Sequence, residues 1–297
     1  MDGSEWVTER FEEHRPHLRA VAYRMLGSVS EADDAVQEAW LRICDQEATR
    51  VENMQAWLTT IVGRVCLNVL RSRKSRREEL SGRVPDPVVS LDDSVDPEQQ
   101  ALLADSVGLA MLVVLNALTP AERLAFVMHD VFAVPFAEIA TVLDRSESAV
   151  QQLASRARRR VRGAPEPDPD VARQREIVDA FFAASRDGDF DALVAMLYPD
   201  VELRIDGGAL REEASLVLRG APAVAGHTAT YSKLYPFVRS ALVNGAAGAV
   251  IAPHGRLFSV MAFTVTNGRI SQIDALLDPE RLARLDLSIP SSVDTRS

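Results

Sequence analysis

Apolar residues recur at three- and four-residue spacing along most of the first 163 positions, a pattern that predicts amphipathic helices. One stripe runs from Phe11 to Leu26, the next from Ser30 to Ile43, and a third begins near Met54. Ser30 followed three positions later by Asp33 is typical of a helix start. We therefore expect three packed helices in a first module, residues 1–77.

The periodicity lapses over residues 78–104, where prolines stand among acidic residues. Such a composition predicts an extended connector rather than a packed element. Helical spacing resumes from Asp105 to Leu118, and Thr119 followed by Pro120 predicts a new helix start. These features define a linker and a second helical module, residues 105–163.

The second module ends in two short helical patterns separated by a break. Phe136 to Leu143 has one apolar face, Asp144-Arg145 interrupts it, and Ser146 is a suitable N-cap for the next helix. This arrangement is typical of a helix-turn-helix that reads DNA, but an ordinary helical hairpin with a solvated basic face fits the pattern equally well. The side chains expected to contact DNA are Ser148, Gln151, Gln152, Ser155, Arg156, Arg158 and Arg159.

The period changes after residues 164–170, a hinge rich in proline and aspartate. Two helical stretches follow, and Val201, Leu203 and Ile205 then alternate with polar residues as a half-buried strand does. Further strands are expected at residues 238–244, 247–252, 257–266 and 269–276. Asn267-Gly268 predicts a tight hairpin between the last two. Residues 171–287 therefore form a third module of mixed α and β structure.

Charge and cysteine content narrow the functional classes. The net charge of -10 is segregated, because residues 64–77 hold six basic and no acidic side chains. The two cysteines and five histidines lack metal-ligand spacing, so we expect no metal or cofactor. We find neither a signal-peptide pattern nor an apolar run of membrane-spanning length. We therefore expect a cytoplasmic protein with no membrane partner.

Three segments together resemble regions 2 and 4 of the extracytoplasmic-function (ECF) sigma factors of bacteria. They are EADDAVQEAWLRI, MQAWLTTIVGRVCLNVLRSRK and the long segment from LTPAERLAF to QQLASRARRR. The resemblance implies two partners, core RNA polymerase and promoter DNA, and also a possible anti-sigma factor whose place the third module would take. It implies that the second helix docks on the clamp helices of the large polymerase subunit through Asp33, Asp34, Gln37, Glu38 and Trp40.

The same resemblance implies that the third helix and the loop before it, Ala48 to Gln55, open and capture the minus-10 promoter element, while the helix-turn-helix reads the minus-35 element. Many relatives have Ala-Arg-Asn where this chain has Val62-Gly63-Arg64. The side chains expected at the minus-10 element are Arg64, Asn68, Arg71, Arg73 and Lys74.

The third module resembles the SnoaL-like (NTF2-like) cone, and the whole chain resembles the sigma-J-like ECF group. The expected fold is thus multidomain, with two all-α modules followed by an α+β cone. Cones of this kind enclose a pocket, for which Asp206, His254 and Asp274 are candidates, although strand-end polar residues explain them better than catalysis does. We expect no catalytic residue.

The cone is expected to modulate the sigma factor in cis by contacting the linker. The residues assigned to this regulation are Pro85, Asp86, Pro87, Asp206, Gly207, Gly208, Asp278 and Pro279. An alternative is a DNA-binding regulator fused to a SnoaL-type enzyme or small-molecule-sensing domain.

Overall fold

The structure, a computed structural model, describes residues 3–44, 53–75, 83–91, 108–163, 167–285 and 287, and the chain forms two compact units. The first unit comprises residues 1–81, 96–106 and 114–164. The second comprises residues 82–95, 107–113 and 165–297, so part of the linker belongs with the cone.

Helices build the first unit. In chain order they are α1 (Gly3–Leu26), α2 (Val29–Cys44), α3 (Met54–Ser75), α4 (Leu109–Asn116, which spans the division between the units), α5 (Pro120–Phe126), α6 (Phe136–Leu143) and α7 (Glu147–Val161). A short π-helical turn, Val127–Val131, follows α5.

Local sequence signals fix most of these helix ends. Thr119 accepts a hydrogen bond from the Glu122 amide, and the Glu122 side chain reaches back to the Thr119 amide, which confirms the predicted start of α5. Ser146 caps α7 as predicted, accepting from the Ala149 amide at 3.3 Å. The predicted cap of α2 is wrong: α2 begins at Val29, and the hydroxyl of Ser28 accepts from the Glu31 amide.

The second unit is an α+β cone. Its helices are α8 (Val171–Asp187), α9 (Phe190–Met196), α10 (Ala221–Ala229) and α11 (Pro279–Leu282). Its strands are β1 (Val89–Ser90), β2 (Leu197–Asp206), β3 (Leu216–Arg219), β4 (Val238–Val243), β5 (Ala246–Ile251), β6 (Ser259–Thr266) and β7 (Arg269–Leu276). They form one sheet in the order β1-β4-β5-β6-β7-β2-β3, antiparallel except for the β2 and β7 pair.

Apolar side chains from α8, α9, α10 and the strands form the core of the cone. Asn267 and Gly268, both with positive φ, make the predicted hairpin between β6 and β7. The carboxylate of Asp168 accepts from both of their backbone amides, at 2.8 and 2.9 Å. The end of the hinge is thereby held against the cone.

Candidate functional site

The second helix of the predicted helix-turn-helix presents a polar face to solvent. Asp144, in the left-handed conformation at φ 53°, ends α6 and lets the chain turn into α7. Val150, Leu153, Ala154 and Ala157 are buried along one side of α7. The predicted base-reading side chains Ser148, Gln151, Gln152 and Ser155 are all exposed on the other side.

The arginines of α7 differ in their surroundings. Arg156 and Arg160 contact the buried carboxylate of Glu122 at 3.1 and 2.9 Å, and Arg158 contacts Asp130 at 2.5 Å. Burial raises the pKa of Glu122, but hydrogen bonds from Thr119 and Arg156 and the charge of Arg160 outweigh it, so the pKa lies below its usual range. Arg159 is exposed.

The basic helix α3 has one exposed stripe and one buried basic residue. Arg64, Asn68 and Arg71, spaced four and three positions apart, are exposed. Arg73 faces inward at 8% exposure, donating to the Leu26 carbonyl at 3.2 Å and pairing with Glu31. The prediction that Arg73 contacts promoter DNA does not fit this position, because its guanidinium satisfies the end of α1. The side chain of Lys74 and residues 48–52 lie outside the described residues.

The acidic face of α2 is accessible. Asp33, Asp34, Gln37 and Glu38 are exposed, whereas Trp40 is half-buried, with its ring centroid 4.8 Å from that of Phe11. Asp33 pairs with Arg19 at 2.5 Å, and Glu38 pairs with Arg42. Leu41 is 59% exposed beside this acidic face, a feature that the apolar stripe did not predict.

Within the first unit, α5 packs against α1 and α3. Arg123, only 2% exposed, donates to the Arg24 carbonyl from Nε at 3.1 Å and from Nη2 at 2.9 Å. Gly63 lets α3 lie close to the π-helical turn after α5, because a Cβ atom on Gly63 would lie only 3.2 Å from the sulfur of Met128 in that turn. Arg123 and Gly63 thus join the first and second modules.

In the second unit, the linker is bound by three side chains that we call the linker clamp: Asp206, Asn244 and Arg281. Arg281, 7% exposed, donates to Asp86 at 2.5 Å, to Asp206 at 2.7 Å and to the Val84 carbonyl at 2.5 Å. Asp206 accepts from the Val84 amide at 2.9 Å. The polar groups of this buried cluster satisfy one another.

Asn244 continues the clamp along the edge of the sheet. The side-chain oxygen of Asn244 accepts a hydrogen bond from the backbone amide of Val88 at 3.0 Å, and the backbone amide of Asn244 donates to the Val88 carbonyl at 2.8 Å. Val89 and Ser90 then pair with β4 as an antiparallel edge strand. The linker therefore extends the sheet by backbone pairing, a known mode of peptide recognition.

Two glycines and a helix cap position the clamp. A Cβ atom on Gly208, at φ 63°, would lie 2.2 Å from Asp278 Oδ2, and one on Gly207 would lie 2.1 Å from the Arg211 carbonyl. Asp278 accepts from the Arg281 amide and caps α11, whose first residue is Pro279. The cap of α11 and the two glycines thus position Arg281 and Asp206. On the linker side, Pro85 and Pro87 are buried on either side of Asp86.

The cone also encloses a largely apolar cavity. Its walls include Phe182, Leu203, Ile205, Ile273 and Leu277, with His227, Thr228, Ser259 and Tyr235 as polar members. The three candidate pocket residues are not among its lining side chains. Asp206 belongs to the linker clamp, His254 is exposed in a turn, and Asp274 pairs with Arg204 at 2.9 Å.

Among the residues that the structure describes, no cluster of three or more histidine, cysteine or acidic side chains is arranged to hold a metal ion. Across those same ranges, every helix is too short or too polar to cross a membrane.

Both helical modules match known protein families. Residues 10–76 match the Sigma-70 region 2 family and residues 109–161 match the Sigma-70, region 4 family. The chain is 40% identical over 287 residues to the ECF RNA polymerase sigma factor SigJ of Mycobacterium tuberculosis, covering 91% of each chain. It is 32% identical over 292 residues to the probable ECF sigma factor SigI of that species, covering 93% of this chain and 94% of the relative.

The crystal structure of Mycobacterium tuberculosis SigJ superposes with a TM-score of 0.77 at 36% identity, over 93% of this chain and 98% of that one. Two helical modules of this kind, followed by a cone, define a protein of transcription initiation. The chain belongs to the ECF RNA polymerase sigma factor family and carries a C-terminal SnoaL-like domain.

Proposed function

We propose that α2 binds the clamp helices of the large polymerase subunit through Asp33, Asp34, Gln37 and Glu38, with Leu41 as an apolar anchor. Exposed acidic side chains steer a basic partner, and an adjacent exposed leucine supplies area to bury. Trp40, packed on Phe11, keeps α2 in place.

For promoter recognition, we assign the minus-10 element to Arg64, Asn68 and Arg71 on α3, and the minus-35 element to α7. On α7, Ser148, Gln151, Gln152 and Ser155 read base edges, and Arg159 contacts phosphate. Amide side chains suit base edges, whereas an exposed arginine suits the phosphate backbone. Arg156 and Arg158 are paired with Glu122 and Asp130, so the positive charge that each offers to a DNA phosphate is partly neutralised.

The packing of the first two modules is, in this proposal, a resting arrangement. Promoter elements centred near positions minus 10 and minus 35 are separated by about 85 Å along B-form DNA, at roughly 3.4 Å per base pair. The contact of Arg123 with the Arg24 carbonyl holds the two modules within hydrogen-bond distance. This contact has to break before both elements are read together.

The cone controls that separation through the linker. The linker connects the two modules, so its capture by Arg281, Asp206 and Asn244 shortens the chain that is free to span them. The observation that carries this proposal is the triple contact of Arg281 with Asp86, Asp206 and Val84. The attached cone then takes the regulatory place of a separate anti-sigma factor, in the cytoplasm and without a catalytic task.

Run-off transcription with core polymerase tests the regulatory proposal. The full chain is compared with Arg281→Ala and with Arg284→Ala, a control at an exposed position three residues further on. At equal folded concentration, we expect several-fold more transcript from Arg281→Ala and no change from Arg284→Ala. Equal output from all three chains would exclude regulation by the linker clamp.

A further inference from the structure

A buried carboxylate lies beneath the basic end of α7. Glu122, the third residue of α5, is 4% exposed. Its Oε1 accepts a hydrogen bond from Nε of Arg156 at 3.1 Å, and its Oε2 accepts one from Nη1 of Arg160 at 2.9 Å. The hydroxyl of Thr119 donates to the same Oε2 at 2.8 Å. One carboxylate therefore restrains two arginine side chains.

The two arginines remain accessible to a ligand. Arg156 and Arg160 are one helical turn apart on the same face of α7, and their side chains are 45% and 53% exposed. Each guanidinium uses one N–H donor on Glu122 and keeps its other donors. A restrained guanidinium loses little side-chain entropy when it binds, and its planar group matches phosphate oxygens. The pair is therefore suited to a DNA phosphate.

Stability alone does not account for these ion pairs. Helices α5 and α7 pack on each other, and α7 already buries four apolar side chains, Val150, Leu153, Ala154 and Ala157. A buried ion pair adds little net stability, because desolvation offsets its attraction. Its effect on geometry is stronger, since an arginine that moved away would leave the buried charge of Glu122 with one partner fewer.

The two arginines continue the face of α7 that is proposed to read bases. Gln152 is exposed one turn before Arg156, and Ser148 is exposed one turn before Gln152. Contacts with phosphate fix the register of a protein on the duplex, and side chains at base edges then read the sequence. A displaced Arg156 would therefore move Gln152 relative to its base.

We propose that Glu122 is a positioning residue for minus-35 recognition, which holds Arg156 and Arg160 together as a binding site for one DNA phosphate. This role rests on the proposed reading of the minus-35 element by α7, and it adds Arg160 to the DNA contacts. The carboxylate lowers the positive charge of the site but fixes its geometry. Glu122 therefore lowers affinity for DNA of any sequence and raises discrimination in favour of one.

Equilibrium binding of the holoenzyme to two duplexes tests this role. The selected duplex carries the minus-35 element that the unsubstituted holoenzyme enriches from a randomised library, and the scrambled duplex carries the same bases in another order. Glu122→Gln removes the charge and keeps the capping box with Thr119, because glutamine also serves at that position. Asp130→Asn is the matched control, since it removes one negative charge that pairs with a single arginine of α7, Arg158.

We expect opposite shifts on the two duplexes for Glu122→Gln. Binding to the scrambled duplex should strengthen about twofold, with a salt dependence steeper by up to about 0.9 log units, because the protein is less negative there. Binding to the selected duplex should weaken about fivefold, because the released arginines no longer fix the register of Gln152. Asp130→Asn should strengthen binding to both duplexes about twofold and leave discrimination unchanged.

Arg160→Ala tests whether the arginine acts through Glu122. It should weaken binding to the selected duplex about fivefold in the unsubstituted chain but only about twofold in the Glu122→Gln chain, a coupling that independent residues do not show. Arg160 is exposed, so its removal leaves the fold intact. Circular dichroism and assembly with core polymerase report whether each variant is folded.

Three results would overturn the role of Glu122. They are equal shifts on the two duplexes for Glu122→Gln, unchanged discrimination as for Asp130→Asn, and normal binding of Arg160→Ala to both duplexes, which needs no change at Glu122. A library that yields no preferred element contradicts instead the reading of the minus-35 element by α7. The two failures are thereby distinguished.

Discussion

Nε of Arg281 donates to Oδ1 of Asp86 at 2.5 Å, joining two residues 195 positions apart. The same guanidinium holds Asp206, which accepts from the Val84 amide. A buried charge that loses its partner destabilises the protein, so Asp86 and Asp206 both depend on the guanidinium of Arg281. The linker is therefore bound by a small cooperative cluster.

Arg281→Ala should release the linker. We expect the amides of Val84 and Val88 to exchange with solvent hydrogen at least tenfold faster, because the clamp no longer shields them. Hydrogen exchange followed by mass spectrometry measures this, and amides in β6 and β7 serve as an internal reference. Unchanged exchange at Val84 would show that Asp206 alone holds the linker.

Gly63→Leu should separate the first two modules. A leucine side chain cannot fit where a Cβ atom already lies 3.2 Å from the Met128 sulfur, whereas Gly63→Ala needs only a small shift of that flexible thioether. Spin labels at the exposed positions Glu38 and Gln152 report the distance. We expect a longer, broader distribution for the leucine variant alone, and identical distributions would contradict the packing role.

Promoter reading should divide between two kinds of side chain on α7. Gln151→Ala or Gln152→Ala should cost about 1–3 kcal/mol on the cognate minus-35 element and little on a scrambled one. Arg159→Ala should weaken both sequences alike and flatten the salt dependence by about 0.9 log units per phosphate contact. Salt titrations of binding to both DNAs measure this, and equal losses for the Gln variants on the two DNAs would contradict base reading.

Polymerase binding should depend on Asp34 and Leu41. Asp34→Lys reverses an exposed charge without breaking the Arg19 and Asp33 pair, so it should lower core binding at least tenfold while the fold persists. Leu41→Ala should weaken binding less, and Leu210→Ala, a leucine of the cone that is 67% exposed, should have no effect. Co-purification with core polymerase decides, and full retention of Asp34→Lys would exclude α2 as the docking face.

Stability should depend on pH through Asp274. Burial raises the pKa of Asp274, and the nearby charge of Arg204 only partly offsets this effect, so the pKa is about 6. Between about pH 4 and 6 the unfolded carboxyl group loses its proton while the folded one keeps it, so the free energy of unfolding falls as pH rises. The loss approaches about 3 kcal/mol above pH 6.

Asp274→Asn removes this titration. Urea unfolding of both chains from pH 4 to 7, followed by circular dichroism, should show the stability difference shifting in favour of the variant as pH rises. A constant difference across that range would mean that Asp274 titrates alike in the folded and unfolded chains.

Periodicity predicted most of the architecture, because buried stripes at helical or strand spacing are local signals. It gave the bounds of β7 and the hairpin before it, and it placed the caps at Thr119 and Ser146. It missed β3 and α10, since Leu216–Arg219 is only four residues long and α10 shows little contrast between its faces.

The functional residues were less predictable from local patterns. Arg73 lies in a run of basic residues, and only the rotation of α3 shows that it turns inward while Arg64, Asn68 and Arg71 turn outward. Asn244 binds a linker residue 156 positions away, and Arg281 binds one 195 positions away. Such contacts between distant parts of the chain leave no periodic signal.

The two prolines that flank Asp86 also act on the linker when it is not bound. Pro85 and Pro87 have fixed φ angles and no amide hydrogen, so they reduce the number of conformations open to the undocked chain. Less conformational entropy is then lost when Val84 and Val88 engage their partners on the cone. The unbound linker therefore already has a restricted backbone. A more flexible linker with the same polar contacts would lose more entropy on binding and would be bound to the cone for a smaller fraction of the time.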